Sequence, residues 1–92
     1  MADKNFEWDE AKAAANQAKH RVTFCAARKV FDDVFAIDGI DEHDDEYRFY
    51  TIGMSEGRLL FVAYTLRNGT IRIISARAAE PHERRKYHED SA

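Results

Sequence analysis

The sequence predicts an α+β fold: two N-terminal helices, a four-stranded antiparallel sheet and a C-terminal helix. Three observations carry that reading. Apolar residues recur at three- and four-residue spacing before residue 32, whereas alternating or continuous apolar runs follow between 47 and 77. Short connections join the later runs, so consecutive strands should be antiparallel neighbours. Asn68-Gly69 is the strongest hairpin signal in the chain, because both residues tolerate positive φ. At 92 residues, one domain spanning 1–92 with one small core is expected.

The first helix begins at Asp9, whose carboxylate can accept from the exposed N–H groups of the first turn. Glu10 adds negative charge at the end the helix dipole favours. Alanines at 11, 14, 15 and 18 form a flat apolar face, and Lys19 and His20 stand at the C-terminal end, where cations are favoured. Thr23 is the expected cap of a second helix, in which Phe24, Ala27, Val30 and Phe31 share one face and Cys25 is a partly buried, inert thiol. Asp32 and Asp33 end that pattern. Val34–Ile37 is then a short strand candidate, and 39–46 reads as an acidic turn or loop.

Tyr47, Phe49 and Thr51 alternate against Arg48, Tyr50 and Ile52, the period of a strand covered on both faces. After a tight connection at Ser55-Glu56-Gly57, Leu59–Thr65 is nearly continuous hydrophobe and reads as the central strand. Beyond the Asn68-Gly69 turn, Ile71, Ile73, Ser75 and Arg77 are expected to point one way, with Arg72, Ile74 and Ala76 pointing the other. Pro81 suits the first position of a last helix running through Tyr87, with Ala79 or Glu80 as its weak N-cap.

Composition narrows the function. No apolar run approaches the ~18–20 residues of a membrane span, and the N-terminus lacks a signal-peptide core. A lone cysteine excludes an internal disulfide, so a cytoplasmic location and no membrane partner are expected. The formal charge of −3 is unevenly spread: residues 32–47 carry eight acids and no Lys or Arg, while 48–88 carry a surplus of five positive charges. Phosphate loops, zinc-type cysteine spacing and a His-Glu-x-x-His pattern are all missing, so neither cofactor nor metal is expected. The acidic stretch lacks the register of a calcium loop and reads as solvated loop or as a surface for a basic partner.

The informative side chains are Lys19, His20, Arg67, Arg72, Arg77, Arg84 and Tyr87, with Ser75 the next residue of the same facing as Arg77. An arginine near a strand end presents a planar donor fork to phosphate, although Arg77 is alternatively a partner for Glu80 or Glu83. Arg84 and Tyr87, three apart, are expected on one side of the last helix, flanking Arg77. His20 either transfers protons or satisfies helix-end carbonyls. Arginines, hydroxyls and a histidine without metal suit RNA cleavage. RNA supplies its own 2′-OH nucleophile, so an enzyme need only align it, neutralise the phosphorane and move protons.

The segments Phe6-Glu7-Trp8-Asp9, Lys12, Asn16, Lys19-His20, Val22-Thr23-Phe24, Val30-Phe31-Asp32-Asp33, Arg72-Ile73-Ile74-Ser75-Ala76-Arg77 and Glu83-Arg84-Arg85-Tyr87 occur in an order that resembles the BrnT family of bacterial toxins. The likeness runs from about residue 6 to 88. It implies a RelE-like fold and an endoribonuclease of a type II toxin–antitoxin system that arrests translation. It also implies neutralisation by a BrnA-like antitoxin, through whose complex alone DNA would be bound. By inference from that resemblance, Arg77 and Arg67 hold the scissile phosphate with Arg84 assisting. His20 or Glu83 then serves as acid or base, and Tyr87 or Lys19 orients or donates, with Lys19, Arg72 and Ser75 contacting RNA. Two departures stand out: Arg21 where the family often has glycine, and Ala78 where a second basic residue commonly follows. The competing classes are a non-catalytic RNA-binding domain and a protein-interaction module using 38–46 or an exposed edge at Tyr50 or Phe35.

Overall fold

A computed structural model describes residues 5–43 and 46–90. The fold is α+β, with three α-helices and a five-stranded mixed sheet. In chain order the elements are β1 (Phe6–Glu7), α1 (Glu10–His20), α2 (Phe24–Arg28), a 3₁₀ turn (Lys29–Asp32), β2 (Ile37–His43), β3 (Glu46–Ser55), β4 (Arg58–Arg67), β5 (Thr70–Ala78) and α3 (Pro81–Asp90). The strand order is β1-β5-β4-β3-β2.

The expectation of four antiparallel strands is therefore corrected. Strands β2 to β5 form the antiparallel meander, but β1 adds a fifth, parallel to β5, pairing Phe6 with Ile71 and Glu7 with Arg72. Two residues are too few to show a period, so this strand exists only through its partner.

The acidic segment is corrected as well. Residues Ile37–His43 are an edge strand rather than a turn, while 44 and 45 lie outside the described residues. The strand expected over Val34–Ile37 is instead a turn at Val34 and Phe35, with only Ile37 entering β2. Carboxylates are poor strand formers, yet charge on an edge blocks further pairing, and β3 supplies the ladder. Gly39 sits opposite Tyr50, whose ring lies where a Cβ would be, so only glycine admits that ring.

Local signals fixed the helix ends as expected. Asp9 accepts from the Lys12 N–H at 3.1 Å, and Thr23 accepts from the Ala26 N–H at 3.0 Å. The second helix tightens into the 3₁₀ turn after Arg28, which leaves Val30 buried and Phe31 partly so. Cys25 is exposed rather than partly buried. Arg21 ends α1 in the left-handed region at φ 57°, its N–H donating to the Gln17 carbonyl at 2.8 Å. That geometry favours glycine. Arg21→Gly should therefore raise stability by about 0.5–1 kcal/mol, read as a higher urea midpoint with unchanged slope.

Helix α1 lies along the β5 edge through Asn16 and Ala13, and the alanines at 11, 14, 15 and 18, expected as its apolar face, are exposed. Helix α2 and the 3₁₀ turn cover one sheet face. Val22, Phe24, Ala27 and Val30 pack there on Leu60, Val62, Ile73 and Ala76. On the opposite face, Tyr87 of α3 packs with Ile52, Leu59 and Ala79. Among the described residues no helix is long and apolar enough to cross a membrane.

Candidate nucleic-acid interface

A β-bulge decides which side chains of β5 share a face. Ala63 pairs with Ser75, whereas Tyr64 pairs with Ile73, so Ile74 is the extra residue. Simple alternation would put Arg77 beside Ile71 and Ile73. Instead Ile73 and Ala76 both enter the helix-side core, and Arg72, Ser75 and Arg77 lie together on the opposite face. By strand alternation Thr65 and Arg67 of β4 and Arg48 of β3 join them there. The expected phase of β5 is thus corrected, with the result that the sheet arginines share one face.

Arg77 sits near one end of that face. Its two terminal nitrogens donate to the two Glu83 oxygens at 2.8 and 2.9 Å, and its guanidinium lies 4.3 Å over the Phe61 ring. Glu83, only 6% exposed, also accepts from the Glu80 N–H at 2.8 Å. A glutamate at the third helical position that reaches back to the cap residue completes half of a capping box, so α3 begins where Arg77 is anchored. The salt-bridge alternative for Arg77 is what the structure contains. His82, exposed, lies 3.8 Å from Glu83 and 4.0 Å from Glu80. Glu80, His82 and Glu83 offer ligand atoms within 4.8 Å of one another. Both Glu83 oxygens are already committed to Arg77, so a cation there would have to displace a guanidinium.

Tyr87 and Arg84 do not flank Arg77 from one side of α3, which corrects the expected pairing. Tyr87 shares the buried side of the helix with Glu83, and its hydroxyl donates to Asp33 at 2.6 Å. Arg84 is exposed and lines a separate cleft with Pro81, Arg85, His88 and Glu89. Lys19 and His20 end α1, three and four residues beyond Asn16, whose side chain bonds the β5 backbone at Ala76. His20 is half-buried and Lys19 exposed.

Arg67 and Arg72 gather elsewhere. With Lys12, Tyr47, Arg48, Thr65, Leu66 and Ile74 they line a cleft of about 390 Å³ where β4 finishes and β5 begins. Arg72 donates to Glu7 at 2.9 Å. Lys12 entered the sequence reading only as part of a resemblance, and Arg48, Tyr47 and His82 were missed. An arginine alternating along a strand was the available signal for Arg48. Nothing local marks the others.

The carboxylates give the site a pH signature. Burial works to raise the Glu83 carboxyl, but the Arg77 fork, the Glu80 N–H and the charges of Arg77 and His82 hold it below its ordinary 4.5. Burial likewise opposes, and bonds from Tyr87, Met54 and Phe35 outweigh, for Asp33, which lies below 3.8. Both groups bind protons more weakly folded than unfolded. They therefore stabilise the fold above their ordinary values, and that contribution is lost as pH falls through 4.5 and 3.8 and below. Tyr87, pushed up from 10 to about 12 by burial and by Asp33, gives the opposite limb, with stability lost as pH rises between those values. Urea midpoints against pH should fall on both sides, with Glu83→Gln flattening the acid limb and Tyr87→Phe the alkaline one.

Compared with known proteins, the chain matches the family model described as ribonuclease toxin, BrnT, of type II toxin-antitoxin system, over residues 8–83. A search of curated proteins finds no match.

Proposed function

The chain belongs to the BrnT family of ribonuclease toxins of type II toxin–antitoxin systems, and on that premise we propose that it is a metal-independent endoribonuclease using the substrate's own 2′-OH. The observation that carries this reading is the bulge at Ile74, which sets Arg72, Ser75 and Arg77 on the sheet face that also bears Arg48 and Arg67.

The 2′-oxygen attacks the adjacent phosphorus, the bond to the 5′-oxygen breaks, and one proton passes from the 2′-hydroxyl to the leaving oxygen. A 2′,3′-cyclic phosphate and a 5′-hydroxyl result, with no co-reactant consumed. Arg77, gripped by Glu83 at its edge and backed by Phe61, is held ready to neutralise the phosphorane. Glu83, ionised and fully engaged, is a positioning residue rather than a base. Exposed His82 beside it is the proton-transfer group, in the place first considered for His20. Tyr87 holds α3 in place through Asp33, while Arg84 lines a separate cleft on that helix.

A type II system supplies a protein antitoxin. The reading extends to a BrnA-like partner covering the open sheet face, with DNA reached only through that complex. Translation arrest in the cytoplasm, a RelE-like relationship and a single domain over 1–92 belong to the same proposal.

The test is cleavage of a synthetic RNA by purified protein in excess EDTA. Cyclic-phosphate and 5′-hydroxyl ends are expected, and a fully 2′-O-methylated copy should stay intact. Cleavage of the methylated copy, or complete dependence on added metal, would overturn the mechanism. RNA retention without new ends would favour a binding domain, and neither behaviour a protein-interaction module.

A further inference from the structure

The cleft at the β4–β5 end is too far from Arg77 to hold the reacting phosphate. Arg72 and Arg77 are separated along β5 by roughly 15 Å at the usual rise per residue. The cleft nevertheless draws four cationic side chains from four elements: Lys12 from α1, Arg48 from β3, Arg67 from β4 and Arg72 from β5. Glu7 pairs with Arg72, the Asp9 carboxylate feels both Lys12 and Arg72, and Asp41 stands opposite Arg48 across the β2–β3 ladder, so the charge of the four cations is offset in part. At its edge Tyr47 is 76% exposed, an aromatic ring that a folded core would normally cover. Thr65 adds a hydroxyl.

Resting on the ribonuclease reading above, we infer that this cleft is a second RNA subsite, separate from the reacting centre, that grips the backbone of single-stranded RNA several nucleotides from the cut. Lys12, Arg48, Arg67 and Arg72 bind phosphates flanking the scissile one, and Tyr47 is a stacking platform for one base. Cations tracking a backbone beside an exposed aromatic ring are how single strands are bound without base readout. Duplex RNA offers no free base face to Tyr47 and is excluded from that contact. The substrate class follows: an unpaired stretch long enough to span the open sheet face, rather than a dinucleotide or a duplex. Arg67 and Arg72 then act in substrate retention, while Arg77 serves the reacting phosphate.

Binding separates this proposal from the chemistry. Fluorescence anisotropy would measure a labelled 2′-O-methyl octanucleotide, which cannot be cut, on wild type and on Lys12→Ala, Arg67→Ala and Tyr47→Ala, all exposed positions. Each variant should weaken octanucleotide binding about five- to tenfold, with a much smaller effect on a 2′-O-methyl dinucleotide. The two cation variants should also lower the log–log salt slope by about 0.7 each, whereas Tyr47→Ala leaves it in place. Unchanged affinity and slope would overturn the subsite, as would equal loss on the dinucleotide. Intact RNA binding with loss of antitoxin capture would assign the cleft to the protein partner instead. If wild type cuts RNA and these variants bind normally, only the subsite falls. If wild type cuts nothing, the ribonuclease reading falls, whatever the anisotropy shows.

Discussion

Arg77→Ala is expected to lower RNA cleavage by about 100-fold or more, the scale on which removing one preorganised donor slows a reaction that builds negative charge. The same substitution has a second effect. It strips both guanidinium bonds from Glu83, which is 6% exposed and would keep only the Glu80 N–H as a bonded partner. Breaking a buried pair from one side costs several kcal/mol. Because the Arg77 side chain is 30% exposed, about 2–3 kcal/mol is the expected loss here. Rate and stability must therefore be separated. Arg77→Ala with Glu83→Gln removes the orphaned charge and should recover part of the stability without recovering cleavage. Arg77→Lys keeps the charge but loses the fork and the flat contact with Phe61, so cleavage should remain at least about tenfold down. Folded Arg77→Ala protein cutting at the wild-type rate would remove Arg77 from the reaction.

The largest stability effect is expected at Asn16→Ala. Asn16 faces the outer edge of β5 beyond the two residues covered by β1, and there its side chain does what a neighbouring strand would do. Nδ2 donates to the Ala76 carbonyl at 2.9 Å and to the Val22 carbonyl at 3.0 Å, while Oδ1 accepts from the Ala76 N–H at 3.1 Å. All three bonds are buried. Truncation strands backbone groups that water does not reach, at a cost of about 3–4 kcal/mol. Against a total of roughly 5–15 kcal/mol for a small domain, that is a large share. Asn16→Asp should be worse, since it removes the donor and sets a carboxylate against two carbonyl oxygens. Urea unfolding checks both. A loss below about 1 kcal/mol for Asn16→Ala would mean that these bonds contribute little net stability.

Much of the local structure is legible in the sequence. The caps at Asp9 and Thr23, the turn at Asn68-Gly69 and the start of α3 at Pro81 all depend on a side chain meeting backbone within three residues, or on a φ preference. The family was legible for a different reason: its segments recur in order along the chain, and the family match spans residues 8–83. Asn16 was visible only as one letter of that resemblance, because its partners lie six and sixty residues away. The candidate site was legible in composition and not in layout. Arg67, Arg72, Ser75 and Arg77 lie on the last two strands, as the apolar pattern implies, yet their sharing of one face depends on where an extra residue enters the ladder.

What the sequence settled by itself was the α+β class, the N-terminal caps of the first two helices, the main hairpin and the family, since each is written in short-range chemistry or in the order of its motifs. Tertiary structure alone decided that Phe6-Glu7 and the acidic segment are strands, that Glu83 grips Arg77, that Tyr87 turns inward to Asp33, and that the cations divide between two ends of one sheet face. Register explains the division. A strand's side chains alternate with a period of two, so one inserted residue reverses every facing beyond it, and only the partner strand fixes where the insertion falls.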